Sequence, residues 1–443
     1  MNKSTGASTG VEYTACYQLS RDDQMIASGD KAALKLGPET LTVAGDFGDV
    51  WTFSYRRITR LQRRDYRVHV QMAQEDELIL YQLGRHYEGF WRDLTEMRNE
   101  LLISDSLVGE RNLFSGIQGS YQLCGEEDSG QGECEIRLYE TALMLLSEGE
   151  GIITRVPYGL ISEVSAENYS LTVATDYGDD IILSAMGRQT DAVEAKLSEA
   201  LNRLNQRTAE FLLELVPDID PVVLRQLGHL LRDGRLAKKE SVEAVSAGLW
   251  SALQERLAHF GCRGEYDYLR SISSSDSVYL GFKRGLMGDL TGEYLWFLIP
   301  VHGETSGTDS LLAMEVAGGE GGRATYFFRI AGPGERSGRS PEQLSESIDR
   351  ASMQINRCML SINFRREPIY LPEEKLTEKH YQRYAYAVDN LRPLRKLRQR
   401  FVGRVIHRSQ KQWQEDVDDL LKFSRINSDP EAMGGASEKR REY

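Results

Sequence analysis

The chain has 443 residues, 40% hydrophobic and 27% charged, the composition of an ordinary globular protein too long for a single core. Its 54 basic and 67 acidic residues leave a formal charge of −13. That balance argues against a nucleic-acid coat or a wholly membrane-adsorbed protein, since both favour net positive charge.

Residues 1–10 (MNKSTGASTG) are polar, lack the apolar stretch of a secretion signal and read as a disordered leader. From Val11 onward, short segments rich in β-branched and aromatic residues alternate with turn residues. The expected strands are Tyr13–Leu19, Ala33–Leu36, Thr40–Val43, Val50–Tyr55, Ile58–Arg63, Tyr66–Met72 and Leu78–Leu83. Leu34 and Leu36, Leu41 and Val43, and Val68 and Val70 alternate with polar neighbours, the period of a half-buried strand. After Gly84 the period changes: Tyr87, Phe90, Trp91, Leu94, Met97 and Leu101 form a helical stripe able to cover a sheet.

The chain then writes this plan a second time. Tyr17-Gln18-Leu19 answers Tyr121-Gln122-Leu123, and Tyr55, Ile58, Tyr66 and Val70 answer Tyr158, Ile161, Tyr169 and Val173. Gly84-Arg85 answers Gly187-Arg188, and Leu94 answers Leu197. Matches at nearly one offset, mostly at apolar or turn positions, indicate a duplicated unit. In copy two the strands run from about Ile117 to Met186. Its helix carries Val193, Leu197, Ala200 and Leu204 on one face, with Thr190 or Asp191 as the expected cap.

Seven short strands closed by one amphipathic helix resemble the pleckstrin-homology (PH) superfold. The resemblance rests on element order and covers residues 11–104 and 115–207. It implies two tandem PH-like β-barrels, each capped by a C-terminal helix, within an α+β chain.

Beyond Arg207 the pattern turns helical, with Asp220-Pro221 as a capped helix start and Gly261 as a stop, so residues 208–262 read as a helical insert. Strand signals return at Tyr266–Ile272, Val278–Lys283, Glu293–Val301, Leu311–Ala317 and Thr325–Ala331, before a helix that starts at Pro341. Residues 263–371 are therefore a further α+β domain, open to reading as a diverged third copy. Residues 372–426 read as C-terminal helices, including one from Pro393 to Phe423, about 46 Å long at the usual rise. Residues 427–443 read as a disordered tail.

Two basic clusters stand out as candidate sites. Copy one carries Arg56, Arg57, Arg60, Arg63, Arg64 and Arg67, where copy two has Gly159, Leu160, Glu163, Ala166, Glu167 and Ser170. Duplicated scaffolds keep their packing positions and diverge at their surfaces. The arginines are thus either an anion- or partner-binding face or an internal dock for acidic stretches such as Glu126-Glu127-Asp128 and Asp176–Asp180. The second cluster is Arg395, Lys396, Arg398, Arg400, Phe401, Arg404 and Arg408, on a helix expected to meet a membrane, a partner or the body of the protein. The first inter-strand loops, SRDDQMIASGDK and the acidic GEEDSGQGE, disfavour inositol phosphates.

No HExxH, GxSxG or DxDxDG motif occurs, and the seven histidines have no cysteine or carboxylate neighbour at ligand spacing. A Gly-rich run, GPGERSGRS, precedes the Pro341 helix but lacks GxGxxG or GxxxxGK spacing, so it reads as a connector. Five scattered cysteines without a CxxC pair predict reduced thiols. The expectation is a cytoplasmic, non-enzymatic scaffold that binds a protein or peptide partner, without cofactor or metal and without nucleic acid. A peripheral membrane protein on anionic lipid is the alternative, and an enzyme or phosphate-ligand binder in residues 263–371 is the second. Oligomeric state is not legible.

Overall fold

The structure, a computed structural model, describes residues 12–46, 48–73, 75–125, 129–147, 152–273, 275–286, 289–301, 311–318, 323–330 and 341–426. The expected leader, the acidic run Glu126–Asp128, the Gly-rich connector and the C-terminal tail lie outside the described residues. The chain is α+β, built on curled antiparallel sheets.

Copy one comprises β1 (Glu12–Arg21), β2 (Gln24–Leu36), β3 (Thr40–Gly45), β4 (Val50–Ser54), β5 (Ile58–Arg64), β6 (Arg67–Met72) and β7 (Asp76–Tyr81), followed by α1 (Tyr87–Asp105). Its strands pair antiparallel in the order β4-β3-β2-β1-β7-β6-β5. The alternation seen in the sequence is the cause: Leu34, Leu41, Val43, Val68, Val70, Leu78 and Leu80 all turn inward with no exposed surface. Phe90 and Leu94 of α1 close that core.

Copy two repeats it strand for strand. It has β8 (Asn112–Cys124), β9 (Ser129–Tyr139), β10 (Ala142–Ser147), β11 (Ile153–Pro157), β12 (Ile161–Glu167), β13 (Ser170–Thr175) and β14 (Asp180–Ser184), then α2 (Thr190–Leu215). The sheet order, β11-β10-β9-β8-β14-β13-β12, is that of copy one shifted by seven strands. Helix α2 has no side-chain cap. Instead of capping, the Thr190 hydroxyl donates back to the Gly187 carbonyl at 3.0 Å.

Helix α2 does not stop at Arg207. Its first half presents Val193, Leu197 and Leu204 to copy two, and its last turns bury Phe211 and Leu212 in the next unit. One rigid helix therefore serves two cores.

The remaining elements are α3 (Pro221–Leu230), β15 (Leu236–Lys238), α4 (Lys239–Val245), α5 (Ala247–His259), α6 (Arg263–Ser271), β16 (Tyr279–Leu286), β17 (Asp289–Val301), β18 (Leu311–Ala317) and β19 (Ala324–Arg329). They continue with α7 (Pro341–Ser361), α8 (Glu367–Tyr370), α9 (Glu373–Leu376), α10 (Gln382–Asn390), α11 (Arg392–Arg400), β20 (Phe401–Ile406) and α12 (Gln410–Ile426). Asp220 caps α3 as expected, its carboxylate accepting from the Val222 and Val223 amides. A third antiparallel sheet runs β15-β16-β17-β18-β19-β20, so both its edge strands come from outside residues 263–371. Helices cover both faces. Trp296, Met314 and Tyr326 face α7, α10 and α11, while Leu280, Phe297 and Phe327 face α2, α5, α6 and α12. Burial on both sides explains why β18 reads LLAMEVA without alternation.

Three further sequence expectations fail in the third unit. The strand Tyr266–Ile272 is helix α6, because Tyr266 and Leu269 are held one turn apart against the sheet, with Tyr266 edge-on to Phe297. The helical run expected to stop at Gly261 breaks at Ser246 into α4 and α5. The helix Pro393–Phe423 is also broken: residues Phe401–Ile406 leave it to become β20, paired with β19 through Ala324↔Ile406 and Tyr326↔Arg404.

Candidate functional site

The arginines of copy one lie on the β4–β5 corner and the β5–β6 hairpin, and the structure divides them into two kinds. Arg56 faces inward. Its Nε donates to Asp105 Oδ2 at 2.5 Å and its Nη1 to Glu39 Oε2 at 2.8 Å, which ties the end of α1 to the β2–β3 turn. The Asp105 side chain is 3% exposed, so this pair belongs to the interior.

Arg57, Arg60, Arg63, Arg64 and Arg67 are exposed. Arg57 lies 3.7 Å from Asp76, and Arg63 meets Glu88 at 3.1 Å while covering the Trp91 ring. Arg64 and Asp65 are 3.5 Å apart, each 83% exposed, and Arg67 stacks over Tyr81. Arg57 is held against the buried Asp76 carboxylate, whereas the pairs of Arg63 and Arg64 are solvated on both sides and hold little energy, so the guanidiniums of the β5–β6 hairpin remain available to an anion from outside. The hairpin tip is a two-residue turn with Asp65 at φ 50° and Tyr66 at φ 56°. Such left-handed positions suit Asn-Gly and cost a β-carbon residue energy, yet Tyr66 sits there, 81% exposed as a residue.

The matching hairpin of copy two keeps the geometry and reverses the charge. Asn168 and Tyr169 have φ 51° and 60°, Tyr169 is 85% exposed, and Glu163 and Glu167 flank it.

Of the two acidic stretches expected to receive copy one's arginines, Glu126–Asp128 lies outside the described residues, and Asp176 and Asp179 of the other are taken elsewhere. Asp176 accepts from Arg232 at 2.6 Å, and Asp179 pairs with Arg357 of α7. Arg232 also donates to the Gly159 carbonyl from Nε at 3.1 Å and Nη2 at 2.9 Å. This seam fixes copy two to the third sheet's unit. At Asp176 and Asp179 the partners are thus arginines of the third unit, and of copy one's cluster Arg56 is the residue that docks on a buried internal carboxylate.

The second candidate cluster is not a free amphipathic helix. Leu394 and Leu397 of α11 are buried in the core. Arg398 donates to the Pro368 and Leu371 carbonyls at 2.7 and 2.8 Å, and Arg400 to those of Arg329 and Ile330 at 3.1 and 2.7 Å. Phe401 and Arg404 lie on β20, where Arg404 stacks 3.5 Å above the Tyr370 ring. Arg395 and Arg408 are exposed, and Lys396 is half-buried. The apolar stripe that a membrane or a partner groove would need is already covered.

Sequence spacing missed a buried polar cluster around His407. Its Nδ1 lies 3.1 Å from Glu265 Oε1 on α6, and its Nε2 lies 3.1 Å from Glu315 Oε2 on β18. The Trp413 indole stacks on the imidazole, with ring centres 5.5 Å apart, and donates to Thr325 Oγ1 at 2.9 Å. Thr325 in turn donates to Glu315 at 2.5 Å. Burial opposes the charge on His407, but hydrogen bonds to Glu265 and Glu315 outweigh it and push its pKa up to about 9. Nearby, burial and the Glu315 charge push the Cys262 thiol up to about 11 against the pull of Arg323, which leaves it a poor nucleophile. An imidazolium with both N–H groups on carboxylates has no lone pair for a metal or a proton. The cluster is therefore a charged staple binding α6, β18 and the segment after β20. Among the described residues no group of His, Cys, Asp and Glu has the arrangement of a metal site.

No family model matches the chain, and no curated protein matches it. Among solved structures, the C-terminal domain of an unknown protein from Leishmania infantum is 20% identical, with a TM-score of 0.19. That match covers 26% of this chain and 97% of the other, and at such a score it carries no argument.

Proposed function

We propose that residues 11–104 and 115–207 are tandem PH-like modules of a non-enzymatic interaction protein, and that copy one binds an acidic segment of a protein partner. The reading is supported by two sheets of identical strand order, each followed by a helix that closes its core. One observation carries the choice of face. On equivalent hairpins with the same strained tip, copy one displays Arg60, Arg63, Arg64 and Arg67 around Tyr66, and copy two displays glutamates around Tyr169. Packing does not require that difference, because both hairpins are exposed.

Arginine suits such a role, since its planar fork meets a carboxylate with two parallel hydrogen bonds and its face stacks on an aromatic ring. A fluorescent oligo-glutamate peptide titrated into the full chain at low and high salt tests the face. Binding that weakens with salt and is lost in the Arg60→Glu, Arg63→Glu, Arg64→Glu variant supports the reading. Equal binding by wild type and variant would refute it. Flotation with anionic liposomes is the control, and a chain that floats through these same arginines would replace the protein partner with a lipid surface.

A further inference from the structure

The third sheet ends in an arrangement that none of the foregoing uses. Tyr326 of β19 and Arg404 of β20 are cross-strand partners on one face of the sheet. Tyr370, at the end of α8, lies against both: its ring centre is 6.4 Å from that of Tyr326, and the Arg404 guanidinium stacks 3.5 Å above it. Arg366, just before α8, places its guanidinium carbon 5.5 Å from the Tyr326 ring. Two guanidiniums thus converge on two neighbouring phenols.

Neither arginine has an ion pair among the described residues, and Arg366 Nη1 is buried without any hydrogen-bond partner. The adjacent carboxylate, Glu367, accepts from the Tyr384 hydroxyl at 2.6 Å instead. The neighbouring basic residues answer differently: Arg398 and Arg400 each donate from Nη1 to two main-chain carbonyls. Leaving a buried guanidinium nitrogen unpaired costs more than a neutral donor would, so a pair of arginines held on aromatic rings without a counter-charge is an incomplete site.

We infer that Arg366, Arg404 and the hydroxyl of Tyr326 form a binding site for a small phosphate or phosphomonoester. A guanidinium fork bonds two oxygens of one anion, and two forks with a phenol donor offer more hydrogen bonds than a carboxylate's two oxygens accept well. A tetrahedral phosphate matches the donor number and the charge. The tyrosine rings fix the arginines by stacking, which limits the entropy lost when an anion arrives. Burial raises the Tyr326 pKa while Arg366 and Arg404 pull it down, so the phenol stays protonated and able to donate at neutral pH. This site is independent of the copy-one face and stands or falls separately.

Calorimetric titration of the full chain with inorganic phosphate, phenyl phosphate and acetate at matched ionic strength tests it. The expected result is saturable binding of inorganic or phenyl phosphate about tenfold tighter than acetate, and about tenfold weaker in Arg366→Met and in Arg404→Met. The tighter of the two phosphates tells a free anion from an ester. Absence of saturable phosphate binding by the wild-type chain up to about 10 mM overturns the proposal whether or not the variants fold. Folded variants that bind as the wild type does overturn it too.

Discussion

His407 Nε2 stands 3.1 Å from Glu315 Oε2, although the two residues are 92 positions apart and Glu315 has no exposed surface. With Glu265 on the other ring nitrogen, the imidazolium is clamped between two buried carboxylates from different elements. Each partner makes the others affordable in a low-dielectric interior.

The pH dependence follows from this geometry. The two carboxylates push the His407 pKa in the folded chain up to about 9, above the ordinary 6.5 of a free imidazole. Its stabilisation is therefore complete below pH 6.5 and is lost as the pH rises through 9. Screening at the partly solvated ring leaves about 2 kcal/mol. Urea unfolding should show that loss between pH 6.5 and 10, and His407→Gln should remove it. At neutral pH the same variant should be less stable by about 3 kcal/mol, since both carboxylates keep their burial and lose their cation.

The expected contrast within the copy-one cluster is sharp. Arg56→Ala strands the buried Asp105 carboxylate and should cost about 3 kcal/mol in denaturant unfolding. Arg64→Ala, with both partners 83% exposed, should change stability by less than about 0.5 kcal/mol. Binding of the acidic peptide should respond in the opposite order.

These two arginines also show where sequence reading reaches its limit. The strands of copy one were legible because most have one buried face, which alternation records directly; copy two was legible through the repeat, since its β10 (ALMLLS) is buried on both faces and does not alternate. Arg56 and Arg64 sit in one basic run, and only the fold turns the first inward. The third unit hid more. In β20, Phe401 and Val405 are spaced as on a helix, and the residue that argued otherwise was Gly403, where a β-carbon would come within 2.8 Å of Leu420 Cδ1 on α12. The His407 cluster left no local trace, because its carboxylates arrive from α6 and β18.

Gly159 marks the seam between copy two and the third unit. A β-carbon there would lie 2.3 Å from the Asp233 carbonyl oxygen, so the main chains must part to admit it. Gly159→Ala should cost about 1–3 kcal/mol. Calorimetry should show the loss, and limited proteolysis should find new cleavage near Arg232–Arg235.

Tyr66 pits stability against binding. Tyr66→Gly relieves a left-handed tyrosine at φ 56° and should stabilise the chain by about 0.5–1 kcal/mol. It also removes the exposed ring from the centre of the arginine face. A higher melting temperature with weaker peptide binding is the expected pair of results, measured on the same preparation.

The most direct test of the account compares what three forms of the full chain retain from native lysate, quantified by mass spectrometry. These are the wild type, the Arg60→Glu, Arg63→Glu, Arg64→Glu variant, and a control with Glu163→Arg and Glu167→Arg in copy two. The account predicts a partner that the wild type and the copy-two control both retain and the copy-one variant loses. The same partners on all three forms, or a partner lost only from the copy-two control, would contradict it.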